Sequence, residues 1–168
     1  PTAPYVRVTG DAAVFDERIA FLEQPPLAPD EKDAYAVPTV SDDSDTLFVH
    51  CVRALDRACT AGAHGLPLIG DGDWNDGFNR VGVNGRGESV WLAWFLILTL
   101  QRTADHADAR HEAATAERLR KRANEYAAAV DREAWDGAWY RRAFFDDGTP
   151  LGSVTSEECQ IDAIAQSW

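Results

Sequence analysis

Apolar residues recur at helical spacing in three stretches of the chain, and the stripe changes character from one to the next. In the first, Leu47, Cys51, Val52, Leu55, Ala58 and Cys59 share a face. That period predicts an amphipathic helix, capped by Asp43 or Ser44 and ended by Gly62. In the second, "ESVWLAWFLILTLQRTADHA", apolar side chains point almost all round from Val90 to Leu100. A helix buried on most faces is expected, starting at Glu88, whose carboxylate suits the positive end of the helix dipole. The third, Ala109 to about Glu133, keeps one stripe of Ala113, Ala116, Leu119, Ala123, Tyr126, Ala127 and Val130 among charged residues. It predicts an outer helix lying on the second. Two weaker helical patterns flank these: one within residues 1–23 that ends in "RIAFLE", after a "TGD" turn, and one from about Ser156 to Trp168.

The connecting stretches read differently. "QPPLAPDEKDAYAVPTVSDDSD" is rich in proline and acid, yet holds Tyr35 and Val37, so an extended surface crossing is expected. Gly62 to Gly87 is a long glycine-rich loop, and "WDGAWYRRAFFDDGTPLGS" predicts a β-hairpin or irregular loop. An inner apolar helix alternating with an outer polar one, with decorated loops on one side, predicts an all-α helical barrel in concentric layers. A closed barrel of that kind needs about twelve helices of ordinary length. Residues 1–168 are therefore read as a part of one such domain, incomplete at both ends, with no methionine at its start.

Composition narrows the partners. The chain carries a net charge of −12 over 168 residues; that field repels a phosphodiester polyanion, which excludes nucleic acid, but not a neutral carbohydrate. The longest apolar run, Val90 to Leu100, is too short to span a bilayer. Cys51, Cys59 and Cys159 form no CxxC pair, so reduced, buried thiols in a cytosolic setting are expected.

The chemistry concentrates in "IGDGDWNDGFN", Ile69 to Asn79. Counted as a calcium loop from Asp71, the odd positions Asp71, Asp73 and Asn75 fit, but the required glycine is Asp76 and the required glutamate is Gly82. His50 and His64 have no cysteine pair near them, so zinc is not indicated, and no metal is expected. Two readings stay open. In one, the acids bond their own backbone in tight turns and Trp74 plugs a core. In the other, Trp74 is a flat wall for the C–H face of a sugar, while the carboxylates and amide meet its hydroxyls.

Four stretches, "GLPLIGDGDWNDGFNRVG", "GRGESVWLAWFL", "WDGAWYRRAFFDDGTPLGS" and "ECQIDAIAQSW", together closely resemble glycoside hydrolase family 94. Within it the wording is nearest to the phosphorylase-like region of cyclic β-1,2-glucan synthases. The resemblance implies an (α/α)6 barrel and inverting phosphorolysis of β-glucosidic bonds, with β-1,2-glucan and phosphate giving glucose 1-phosphate. It implies inorganic phosphate as co-substrate and no cofactor. It makes Asp76 the general acid and sets Trp74 against the sugars, with Asp73 beside them. Among the remaining site candidates, Arg80 and Arg86 flank the loop, and one of Arg141 and Arg142 approaches the site while the other meets a surface acid. Glu158 and Gln166 fall on one face of the expected last helix. Trp91, Trp94 and Phe95 are expected in the core. The partners implied are a β-glucan oligosaccharide, phosphate and the rest of the same polypeptide, with oligomerisation compatible. The implied location is a cytoplasmic domain of a parent in the bacterial inner membrane. Alternatives are a cellobiose- or chitobiose-type phosphorylase, and a non-catalytic glycan-binding helical scaffold.

Asp76 carries a demand of its own. A general acid must hold its proton at working pH, whereas an ordinary aspartate titrates near 3.9, so burial or neighbouring negative charge, from Asp73 and bound phosphate, is expected to favour the protonated form.

Overall fold

A computed structural model describes residues 1–28, 31 and 34–167. Parts of the predicted crossing, at 29–30 and 32–33, and the Trp168 end lie outside the described residues. The chain divides into two compact units, Pro1–Asp56 and Arg57–Trp168. Helix exceeds strand, and the strands form two small antiparallel sheets.

In the first unit, α1 (Thr2–Thr9) is closed by Gly10, whose φ of 74° lets its N–H reach the Val6 carbonyl at 2.8 Å. The expected helical pattern over "RIAFLE" is instead strand β1 (Arg18–Glu23), paired antiparallel with β2 (Thr39–Thr46). A short apolar run does not distinguish helix from strand by period alone, and here the partner strand decides. Asp43 and Ser44 lie inside β2, so neither caps the next helix, α2 (Leu47–Ala58). Thr46 does so: its Oγ1 accepts the Val49 N–H at 3.3 Å. Phe48 of α2 is buried edge-on against Phe15. His50 stacks on Phe21 and bonds the Ile19 carbonyl at 3.0 Å, a structural occupation for that ring. Tyr35 and Val37 are fully exposed on the crossing.

The second unit is built on α3 (Val90–Ala109) and α4 (Ala113–Ala129), which pack side by side. The stripe on α4 is buried at Ala116, Leu119, Ala123 and Tyr126. Tyr126 donates to the Thr60 carbonyl at 2.5 Å, and burial pushes its hydroxyl up to about 12, so it remains a donor at any working pH. A π-helical turn, Val130–Ala134, follows.

Helix α3 starts two residues later than expected, because Glu88–Ser89 is strand β3. It pairs with β4 (Ala143–Phe144), which pairs in turn with β5 (Pro150–Leu151). Glu88 therefore does not serve the helix dipole. Its buried carboxylate accepts the backbone N–H groups of His64 at 3.1 Å and Leu66 at 3.0 Å, and contacts His64 Nδ1 at 2.5 Å. Of the expected core aromatics, Trp91 is buried and Trp94 half-buried, but Phe95 stays 37% exposed.

No α-helix begins at Ser156. Ser156 closes a local turn on Ser153, and Cys159 sits at φ 47°, outside the helical region. Only a 3₁₀ turn forms there, Ala163–Gln166. None of the three cysteines is in a disulfide among the described residues, and none is fully buried as expected: Cys51 and Cys59 are half-buried and Cys159 is exposed. Among the described residues no helix is long and apolar enough to cross a membrane.

One glycine reports on the Glu88 clamp. A Cβ on Gly62 would lie 2.4 Å from Glu88 Cδ, and Glu88 is already held by three donors. Gly62→Ala is expected to destabilise the chain by about 1–3 kcal/mol through overpacking. Urea midpoints with an unchanged m-value would check it.

Candidate active site

The loop Gly62–Gly87 has no regular ladder of its own, so side chains from elsewhere hold it. At its centre is Arg142, which precedes β4. The hairpin fixes its backbone: Arg142 N–H donates to the Leu151 carbonyl at 2.8 Å, and its own carbonyl accepts the Val90 N–H at 3.2 Å. Gly152 crosses closely in the left-handed region at φ 75°, where a Cβ would meet Arg142 N at 2.9 Å.

The Arg142 guanidinium is wholly buried and grips Asp73 with both terminal nitrogens: Nη2 to Oδ1 at 2.8 Å and Nη1 to Oδ2 at 2.7 Å. The two parallel bonds form the fork geometry that a planar guanidinium and a carboxylate share. Nη1 also lies 3.3 Å from Ser89 Oγ, and Nε is at ion-pair distance, 3.2 Å, from Asp162 Oδ2. The far side of the same group covers the Phe78 ring, 4.4 Å from its centroid. Phe78 in turn packs on buried Ile69, Val81 and Ala143.

Asp73 is therefore an anchor. Its side chain has no exposed surface. Besides the fork it accepts Ser89 O–H at 2.6 Å and the Asn75 N–H at 3.1 Å. Burial works against its charge, but the bonds from Arg142, Ser89 and Asn75 outweigh it and hold the carboxyl below the usual aspartate range. With Asp73 so committed, the Asp71, Asp73, Asn75 spacing does not present three free ligands. Ser89 does double duty, because its Oγ also accepts the Leu92 N–H at 3.0 Å and caps α3.

Between the two anchored ends runs a short projecting segment. Asn75 Oδ1 accepts the Gly77 N–H at 3.0 Å, an Asx-turn leading into the 3₁₀ turn Asp76–Phe78. Trp74 and Asp76 face outward. Trp74 is 61% exposed, and its ring tilts towards buried Trp91 at 6.4 Å, which stacks on Phe95 at 5.5 Å. The core-plug alternative for Trp74 does not hold among the described residues. The Asp76 carboxylate is exposed and makes no hydrogen bond or ion pair among the described residues, so these do not supply the burial expected around it, and the Asp73 charge expected to act on it is taken up by Arg142.

The later part of the loop has its own clamp. Asp146 accepts N–H groups of Asn84 and Arg86 at 2.8 Å each and Gly87 at 3.1 Å. These bonds, led by that from Asn84, hold its carboxyl below the usual range. Arg80 is exposed and lines a groove of about 410 Å³ with Asn84, Arg86 and Asp147. Arg141 pairs with Asp136, so Arg142 alone of the two reaches the loop. Gln166 is engaged as a structural bridge: its Oε1 accepts the Tyr140 N–H at 2.9 Å and its Nε2 donates to the Tyr140 carbonyl at 2.7 Å. Glu158 is exposed in an irregular stretch. The expected shared helical face of Glu158 and Gln166 does not exist, because no helix forms there.

Three parts of this arrangement escape a reading of the sequence: Ser89 as cap and donor, Asp162 at the back of the guanidinium, and the Arg142–Asp73 fork. A serine directly before an apolar helix signals a cap, and Glu88 obscured it. The fork joins residues 69 positions apart, and no local pattern announces that pairing.

Comparison with known proteins agrees with the motif content. The family model "Glycosyl hydrolase 94 superfamily, catalytic domain" matches residues 1–168. Cyclic beta-(1,2)-glucan synthase NdvB of Rhizobium meliloti is 44% identical over 167 residues, covering 99% of this chain and 6% of that protein. The 3-O-beta-D-glucopyranosyl-beta-D-glucuronide phosphorylase of Paenibacillus borealis is 43% identical over 129 residues, 76% of this chain and 17% of that protein. Solabiose phosphorylase of the same organism is 32% identical over 166 residues, 98% of this chain and 19% of that protein. The chain thus spans a fifth or less of each of these relatives. Matched along its whole length, it belongs to the glycosyl hydrolase 94 superfamily and is a stretch of that family's catalytic domain.

Proposed function

We propose that this chain is the acid-bearing part of an inverting glycoside phosphorylase, within an (α/α)6 barrel that the rest of its polypeptide completes. The observation that carries the reading is the pairing, on one projecting turn, of an exposed indole, Trp74, with a carboxyl group, Asp76, that has no partner among the described residues, above a rigid buried anchor. Family membership and the phosphorylase names among the relatives support it.

The chemistry needs one protein acid. An inverting hydrolase needs an acid for the leaving oxygen and a base to activate water. Phosphate is already an anion near neutral pH, so no base is required; the site must supply cationic or N–H donors for it instead. Asp76 protonates the departing glycosidic oxygen. A phosphate oxygen attacks the anomeric carbon from the opposite face, and a β-linkage becomes an α-glucosyl phosphate. Trp74 stacks on a sugar ring. Asp73 supports the loop from below rather than meeting substrate. No cofactor takes part.

The substrate that we favour is β-1,2-glucan, with phosphate as co-substrate and glucose 1-phosphate as product, in a cyclic β-1,2-glucan synthase whose phosphorylase region lies on the cytoplasmic side of the inner membrane. The relative matched over 99% of this chain bears that name. The intact polypeptide is expected to release glucose 1-phosphate from β-1,2-glucan only when phosphate is added, whereas the 168-residue chain alone is expected to be inactive. Glucose released without phosphate would mark a hydrolase, and binding without product would mark a scaffold. Replacing Trp74 by alanine is expected to lower kcat/KM for the glycan about tenfold, corresponding to about 1.4 kcal/mol of lost aromatic stacking. The KM for phosphate should stay unchanged; initial rates with each substrate varied in turn would check both.

A further inference from the structure

We infer that Arg142 is a positioning residue for the acid at Asp76, holding both ends of the segment that carries it; the inference rests on the reading of Asp76 given above. The geometry is specific. One guanidinium takes Asp73, at the start of the segment, in a two-bond fork, and lies over Phe78, at its end. Trp74, Asn75, Asp76 and Gly77 span the gap. The side-chain bonds that shape them run from Asn75 N–H to Asp73 and from Gly77 N–H to Asn75, so the turn is built outward from the clamped carboxylate. Asp76 itself makes no side-chain bond among the described residues. Its position is therefore inherited from Asp73 and Phe78.

The clamp is itself rigidly held. Arg142 is wholly buried, Nη1 also donates to Ser89, Nε lies at ion-pair distance from Asp162 without a hydrogen bond, and the hairpin fixes its backbone on both sides. Only arginine meets the geometry: lysine keeps the charge but has neither the fork for Asp73 nor the flat face for Phe78. The step it serves is the departure of the glycosidic oxygen. The C–O bond breaks with its electron pair going to oxygen, which takes the Asp76 proton, while phosphate oxygen forms the new bond to the anomeric carbon. Asp76 is left as a carboxylate and regains a proton from solvent. A displacement of about 1 Å of such a donor costs on the order of 10²-fold in rate.

The test compares a leaving group that needs the proton with one that does not. The intact polypeptide, as wild type, Arg142→Lys and Asp76→Asn, is assayed with phosphate and either β-1,2-glucan or 2,4-dinitrophenyl β-glucoside, whose dinitrophenolate departs as a stable anion. For Arg142→Lys we expect glycan kcat to fall by about 10²-fold, dinitrophenyl glucoside turnover to fall far less, and the KM for phosphate to be nearly unmoved. Proportional loss on both substrates, or loss on neither, overturns the inference. If Asp76→Asn also fails to lose glycan turnover selectively, the acid assignment itself is wrong. If it succeeds where Arg142→Lys does not, only the positioning role falls. Should Arg142→Lys not fold, Asp73→Asn, which keeps the side chain's shape, reads the same comparison. Failure of both to fold makes the clamp purely structural and overturns the inference.

Discussion

Asp76→Asn in the intact polypeptide is expected to lower phosphorolysis of the glycan by about 10²–10⁴-fold, the usual worth of general-acid assistance, and to leave the fold untouched. The amide has the shape of the carboxyl group but no acidic proton to hand over. Structural damage is not expected, because the side chain is exposed and bonds to nothing among the described residues. Surface substitutions of that kind stay within about 0.5 kcal/mol. Steady-state kcat, measured beside a urea melt of the same preparation, checks both halves. Most of the activity surviving in the variant would transfer the proton to another group.

The second large effect is on stability. Arg142→Leu removes the partner of a carboxylate with no exposed surface and is expected to cost about 3–5 kcal/mol at neutral pH, the usual consequence of stranding one half of a buried ion pair. The cost should depend on pH in a definite direction. In the folded protein Asp73 is held below the value near 3.9 that it has when unfolded. The contribution of its ionised pairing is therefore complete above that unfolded value, and is lost as pH falls through the lower folded one. A protonated Asp73 has less need of the guanidinium, so the stability gap between wild type and variant should be wide at pH 7 and narrower near pH 3. Urea midpoints of both proteins at the two pH values measure this. A gap below about 1 kcal/mol at pH 7, or one that does not shrink on acidification, would show that the fork contributes little to the fold.

What the sequence makes legible follows the range of the interactions. The stripes on α3 and α4 are local and periodic, and the burial of Ala116, Leu119, Ala123 and Tyr126 follows from them. The hairpin at 143–151 carries its turn residues in plain view. The boundaries at Glu88 and Ser156 depart from the periodic pattern for a common reason: the deciding partner is distant or irregular. Glu88 is drawn into a strand by Phe144 and into a clamp by His64 and Leu66. "RIAFLE" becomes a strand because Thr39–Thr46 lies beside it. At the site, Trp74 and Asp76 stand out by residue type within one short word. By residue type Asp73 belongs with them, and its burial beneath Arg142 sets it apart.

The separation of 69 residues between Asp73 and Arg142 has a consequence for the life of the chain on the ribosome. At synthesis rates of about 5–20 residues per second, the carboxylate waits roughly 3–14 s for its guanidinium to be made. Until then only Ser89 and the local Asx-turn can hold the turn at Trp74 to Gly77, and a loop closed over the longer span is slow to set compared with neighbouring helical turns. The turn that bears Trp74 and Asp76 is thus completed only after α3, whose Trp91 its indole leans on, has been made.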